Sequence, residues 1–182
     1  MYLRIFSIVG GFAAAIAVAS TLAPDAEAAP RDKAFFQSVA GTWIGPGEIV
    51  AGKYKGTKFN CNLVGEALTD KNAGLKLDGT CRVGVFKQPM SAVITQNGKG
   101  YKGKFLDGAG GKGLDIISGA VNGDKVVMGI NRAELNGAMV ASLQDENTMN
   151  ITISVKVHDQ MVPVIGLTLD RNVDLIAVGS VR

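Results

Sequence analysis

Thr148-Met149-Asn150-Ile151-Thr152-Ile153-Ser154-Val155-Lys156-Val157 changes character at almost every step. Ile151, Ile153, Val155 and Val157 share one phase, and Asn150, Thr152, Ser154 and Lys156 share the other. Successive strand side chains point to opposite faces, so this run is a strand with one face turned to a core. Other segments repeat the pattern. Trp43, Gly45, Gly47 and Ile49 form one phase of a first strand, and Phe59, Cys61, Leu63 and Gly65 one phase of a second. In the third, Leu75, Leu77, Gly79, Cys81 and Val83 oppose Lys76, Asp78, Thr80 and Arg82. Further strands are expected at residues 90–96, 100–106, 114–121, 125–131, 138–143 and 164–171.

The punctuation between these runs is hairpin chemistry. Asn97-Gly98, Asp107-Gly108, Asn122-Gly123 and Asn136-Gly137 tolerate the positive φ of tight turns. Glycine, with 24 of 182 residues, is nearly twice its usual ~7% share. With 47% hydrophobic and 19% charged residues the chain is not a disordered one. An antiparallel meander with one apolar face must close into a barrel or fold as a sandwich. The fold class read here is all-β, a meander closed into a barrel of about 8–10 strands. Gly45, Gly47, Gly65 and Gly79 fall in the inward phase, where they leave space or permit sharp curvature.

Residues 1–28 read as a secretory signal. Arg4 supplies a basic start, residues 5–22 are apolar and small, and Ala26-Glu27-Ala28 is an A-x-A cleavage site. The apolar run is near the lower limit of a spanning helix, so an uncleaved anchor is the rival reading. Residues 29–182 then form a single barrel domain, periplasmic or secreted, soluble or peripheral to a membrane. Residues 32–38 suit a short helix that packs Phe35 and Phe36 on the body, and the apolar tail, 172–182, suits an edge strand. Cleavage removes Arg4, Asp25 and Glu27 and leaves a mildly basic chain, which by itself implies no particular partner.

Cys61 and Cys81 are the two cysteines. A hairpin symmetric about Lys71 sets them directly opposite each other, and an exported pair suits a disulfide. They lack the C-x-x-C spacing of a redox pair, and with one histidine they make a poor metal set.

Gly41-Thr42-Trp43 opens the first strand. It resembles the G-x-W that begins the barrel of lipocalins and the wider calycin superfamily. That resemblance implies a structural role for Trp43 at the closed end, with Arg171 packed across its ring. The longer run Gly41-Thr42-Trp43-Ile44-Gly45-Pro46-Gly47-Glu48 resembles the start of nitrobindins, ten-stranded calycin-like barrels that bind heme. Their iron-ligating histidine lies near the final strand, whereas residues 161–171 here contain none. Avidins share a G-x-W start, but their biotin site is a box of several tryptophans and this chain has one.

No residue set here carries catalysis. His158-Asp159 has no nucleophile at a recognisable spacing, and there is no G-x-S-x-G elbow. Gly108-Ala109-Gly110-Gly111-Lys112-Gly113 lacks the Ser/Thr and the helix of a phosphate loop. A carboxylate chemistry would have to come from Glu48, Glu66 or Asp115. Lys53, Lys55 and Lys58 interleave with Tyr54 and Phe59, and Lys99, Lys102 and Lys104 with Tyr101 and Phe105. That could be a groove for single-stranded nucleic acid, but aromatics inward and lysines in water explain it as simple alternation, and no nucleic-acid partner is expected. The expected function is a non-catalytic exported barrel that binds a small apolar or amphiphilic ligand, with neither cofactor nor metal. Phe59, Leu63, Leu77, Phe105, Met128 and Ile153 are the candidate cavity wall. The alternative is a cell-envelope structural or interaction protein with a filled barrel.

Overall fold

The computed structural model describes residues 28–69, 72–106 and 113–172. The signal segment, except Ala28, the centre of the second turn, the loop 107–112 and the tail beyond Asn172 lie outside the described residues. One helix, α1 (Ala28–Ser38), precedes ten strands: β1 (Gly41–Ile49), β2 (Lys58–Ala67), β3 (Gly74–Val83), β4 (Phe86–Asn97), β5 (Gly100–Leu106), β6 (Leu114–Asn122), β7 (Lys125–Arg132), β8 (Leu135–Leu143), β9 (Thr148–Val157) and β10 (Gln160–Arg171). Every strand pairs antiparallel with its sequence neighbours, and β1 pairs with β10 to close the barrel. Closure removes the two edges that an open meander would leave.

The alternation read from the sequence becomes the wall. In β1 Trp43, Gly45 and Gly47 are buried, and in β2 Cys61, Leu63 and Gly65. The β2–β3 register pairs Cys61 with Cys81 and Ala67 with Leu75, as symmetry about Lys71 requires. The two cysteines form a disulfide with Cα atoms 4.0 Å apart. Closing a loop of that length contributes about 3 kcal/mol in the chain-entropy account. Pro46 has no N–H to give, and the β1–β10 pairing is interrupted across Gly45 and Pro46. Pro163 sits at a register shift in β10.

Asp107-Gly108 lies outside the described residues, and among the described turns one departs from expectation. Asn136-Gly137 is not a turn: Arg132 pairs with Leu135, and the two-residue turn is Ala133-Glu134, with Ala133 at φ 52°. Asn131 and Asn136 instead face each other across the hairpin, where Nδ2 of Asn131 donates to Oδ1 of Asn136 at 2.9 Å. Gly137 lies within β8 because a Cβ there would run into the carbonyl oxygen of Ser154. The inward glycines behave alike. A Cβ at Gly45 would meet the backbone of Thr168, at Gly79 that of Asn62, and at Gly47 the ring of Phe59. They let strands approach and leave no open space.

Five two-residue hairpins begin with a residue at positive φ: Gly84, Gly98, Gly123, Ala133 and His158. These turns extend β4, β8 and β10 toward their partners, four, three and four residues earlier than alternation alone suggests. Helix α1 likewise begins at Ala28, ahead of the expected start.

Candidate ligand cavity

An antiparallel barrel sends its turns alternately to two ends. One end receives α1, the β2–β3, β4–β5, β6–β7 and β8–β9 connections, and the end of β10. That end is closed. Phe35 and Phe36 of α1 are buried, with rings 5.5 Å apart and edge-on, and Phe36 lies 5.3 Å from Tyr101 of β5. The Tyr101 hydroxyl donates to Asp32 Oδ2 at 2.6 Å, tying helix to strand. Burial first, then this hydrogen bond, pushes the Tyr101 phenol well above its ordinary value near 10.0. It therefore stays a neutral donor.

Beneath the helix lies the G-x-W strand. The Trp43 indole N–H donates to the carbonyl of Val39 at 2.9 Å. The register places Arg171 opposite Trp43, and the guanidinium carbon sits 4.3 Å from the Trp43 ring centroid. Arg171 also donates to the carbonyls of Ser38 and Ala40, both at 2.6 Å, and to that of Glu146 at 2.9 Å. One guanidinium thus satisfies carbonyls left open where α1 ends and holds a β8–β9 loop residue. Gly41 explains the motif's first letter. Its φ is +123°, and a Cβ would stand 2.7 Å from an Arg171 nitrogen.

Above this floor is a cavity of about 360 Å³. Phe59, Leu63, Leu77, Phe105, Met128 and Ile153 all line it. Sequence reading placed Trp43 at the closed end but missed that Phe35, Phe36 and Val39 complete the cavity floor with it. A second omission was a set of flexible thioethers, Met90, Met139 and Met149, which adapt to irregular shapes. By phase, Arg132 at the end of β7 is the charged side chain that the described lining brings to the opening, whereas Asn136 faces outward beside Asn131. Arg132 was findable, because Val126, Met128, Ile130 and Arg132 form one unbroken inward phase. Its Nε donates to the carbonyl of Gly113 at 3.2 Å across the β5–β6 side of the mouth.

The histidine-ligated heme that a nitrobindin likeness implies does not fit these residues. The cavity lining holds no imidazole, and His158 is exposed in the β9–β10 turn. Among the described residues, no group of three or more His, Cys, Asp or Glu side chains could hold a metal ion. Glu48, Glu66 and Asp115 stand on three different strands, and Asp115 forms a 3.4 Å ion pair with Lys104 on the outer wall. Tyr101 and Phe59 turn toward the interior, but Tyr54 is exposed with Lys53 over its ring at 5.5 Å. No described helix is long and apolar enough to cross a membrane.

No family model matches the chain, and no curated protein matches it. Among solved structures, the crystal structure of Rv2717c from M. tuberculosis is similar, with a TM-score of 0.53 and 13% sequence identity. The match covers 77% of this chain and 96% of that one. At this identity the likeness concerns the fold alone, which here is a closed antiparallel barrel of ten strands.

Proposed function

We propose that the protein is an exported, non-catalytic binding protein that takes a small apolar or amphiphilic molecule into the barrel. The observation that carries this reading is the cavity: about 360 Å³, walled by aliphatic, aromatic and thioether side chains and closed at one end. Its size lies at the lower end of the range that small-molecule sites occupy, ~300–1,000 Å³. A single unbranched chain suits such a space. Each methylene removed from water there contributes roughly 0.8 kcal/mol. Arg132 would stand beside a polar head at the opening, so an amphiphile would enter tail first. A preformed wall stapled by Cys61–Cys81 also keeps ordering costs on binding small.

The experiment is native mass spectrometry of the protein purified from an exporting host, followed by titration with dodecanoate. A co-purifying mass lost on denaturation is expected, or else saturable dodecanoate binding at one site. Ala141→Phe, which adds a ring to the wall, should abolish either. A bare mass together with no dodecanoate uptake overturns the reading in favour of a barrel that acts through its surface.

A further inference from the structure

The open end differs from the rest of the surface in two independent ways. It gathers the four most exposed large hydrophobic residues among the described ones, Val85, Phe86, Tyr54 and Leu135. Val85 is 87% exposed and Phe86 77% exposed at the β3–β4 turn. Tyr54 stands out on the β1–β2 connection, Leu135 at the start of β8, and Met161 at the start of β10. These side chains come from separate turns spaced around one opening. They therefore do not form a groove for a segment of chain; a flat partner touches them together.

The second difference is charge. In the mouth half Lys53, Lys55, Lys58, Arg82, Lys87, Lys104, Arg132 and Lys156 stand against Glu48, Asp115, Glu134 and Asp159. In the closed half, with Arg31, Asp32 and Lys33 of α1 included, seven described acidic side chains balance seven basic ones. The excess basic charge of the described barrel is thus at its mouth. A second copy docked mouth to mouth would set these lysines against each other, which disfavours it. Apolar tips interleaved with flexible basic side chains are the composition that seats protein at a lipid interface. Lysines reach headgroup phosphates while their stems cover apolar surface.

We infer that the mouth of the barrel docks on the surface of an anionic lipid bilayer, with Val85 and Phe86 at the interface and the lysines over the headgroups. This stands apart from the cavity's occupancy, since the contact is made by the rim. It would also set the opening against a reservoir of amphiphiles.

The test is vesicle flotation. The full-length gene product is expressed in an exporting host and purified as the cell processes it. Vesicles contain equal parts phosphatidylcholine and phosphatidylglycerol, and a second set contains phosphatidylcholine alone. Partitioning to the anionic vesicles is expected, falling at least tenfold in raised salt and at least tenfold on neutral vesicles. Val85→Asp combined with Phe86→Asp should lower it at least tenfold, and so should Lys53→Glu with Lys55→Glu and Lys87→Glu. Val93→Asp, on the outer wall of β4 and half exposed, should leave it unchanged. Near-UV circular dichroism checks that each variant is folded; should the Asp pair misfold, Phe86→Trp replaces it, with a blue-shifted emission on anionic vesicles expected. Absence of partitioning overturns the inference. So does partitioning that the rim variants do not change, or a dimer in sedimentation equilibrium that the Asp pair dissolves.

Discussion

The two ends of this barrel are built from different kinds of interaction. The closed end is directional. Arg171 donates to three backbone carbonyls and lies over Trp43, Trp43 donates to Val39, and Tyr101 donates to Asp32. Among the described residues, the mouth has no covering helix and few such bonds. Its order rests on two-residue hairpins and on the Cys61–Cys81 bridge, four residues from the mouth-side end of β2 and three from that of β3, counting both ends. The difference teaches where stability and access are separated. Saturating one end with hydrogen bonds lets the other stay open without loss of the barrel.

Trp43→Ala is the strongest way to break the comparison. Trp43 is 2% exposed and touches floor, helix and Arg171. Removing a buried ring of this size costs about 3–5 kcal/mol through lost burial and a cavity. Urea unfolding followed by far-ultraviolet circular dichroism reads the loss, since Trp43 is the chain's single tryptophan. A loss below about 1 kcal/mol would mean that the closed end is not the anchor.

Removing the bridge acts on the other end. Cys61→Ala with Cys81→Ala should lower stability by about 3 kcal/mol, because a loop of roughly 20 residues is no longer closed in the unfolded chain. Hydrogen exchange should quicken first in the mouth-side halves of β2 and β3. Trp43 emission in the native baseline should stay as it is, because the bridge and the indole sit at different levels of the wall. Equal quickening at both ends would show the barrel opening as one unit and erase the distinction drawn between them.

Most of the fold was legible because a barrel wall obeys one rule. Period-two burial fixes which residues face inward, and hairpin symmetry about Lys71 fixed the cysteine register. Six wall residues could be placed by phase alone. Other features were not legible for physical reasons. Asn136-Gly137 has the chemistry of a turn, but Gly137 is needed where the chain passes the carbonyl of Ser154, a contact from another strand. Ala133 and His158 adopt positive φ without the residues that advertise it, since hairpin closure on both sides imposes the conformation. The floor beyond Trp43 was missed because Phe35 and Phe36 read as packing on the body, and nothing local says that they enter its end. The mouth's character depends on which turns share an end, and that is a property of strand parity.

Tyr101→Phe gives the smallest effect and the finest test of the closed end. The phenol's donation to Asp32 is one hydrogen bond to a carboxylate, worth about 1.5–3 kcal/mol at most and less where water competes. At neutral pH the variant should lose about 1 kcal/mol, because the ring still packs against Phe36. The sign of the pH dependence follows from the direction of the shift. The folded phenol's pKa lies above the unfolded value near 10.0, so the folded state holds its proton more tightly. The stabilisation is complete below pH 10.0 and declines as pH rises through the folded value. Wild-type stability should therefore fall with increasing alkalinity above that point, and Tyr101→Phe should be flatter there by the missing proton. The two curves should converge as the phenol ionises. If they stay parallel, Tyr101 contributes to the closed end only as a buried ring, and the helix is held by Phe35, Phe36 and Arg171 alone.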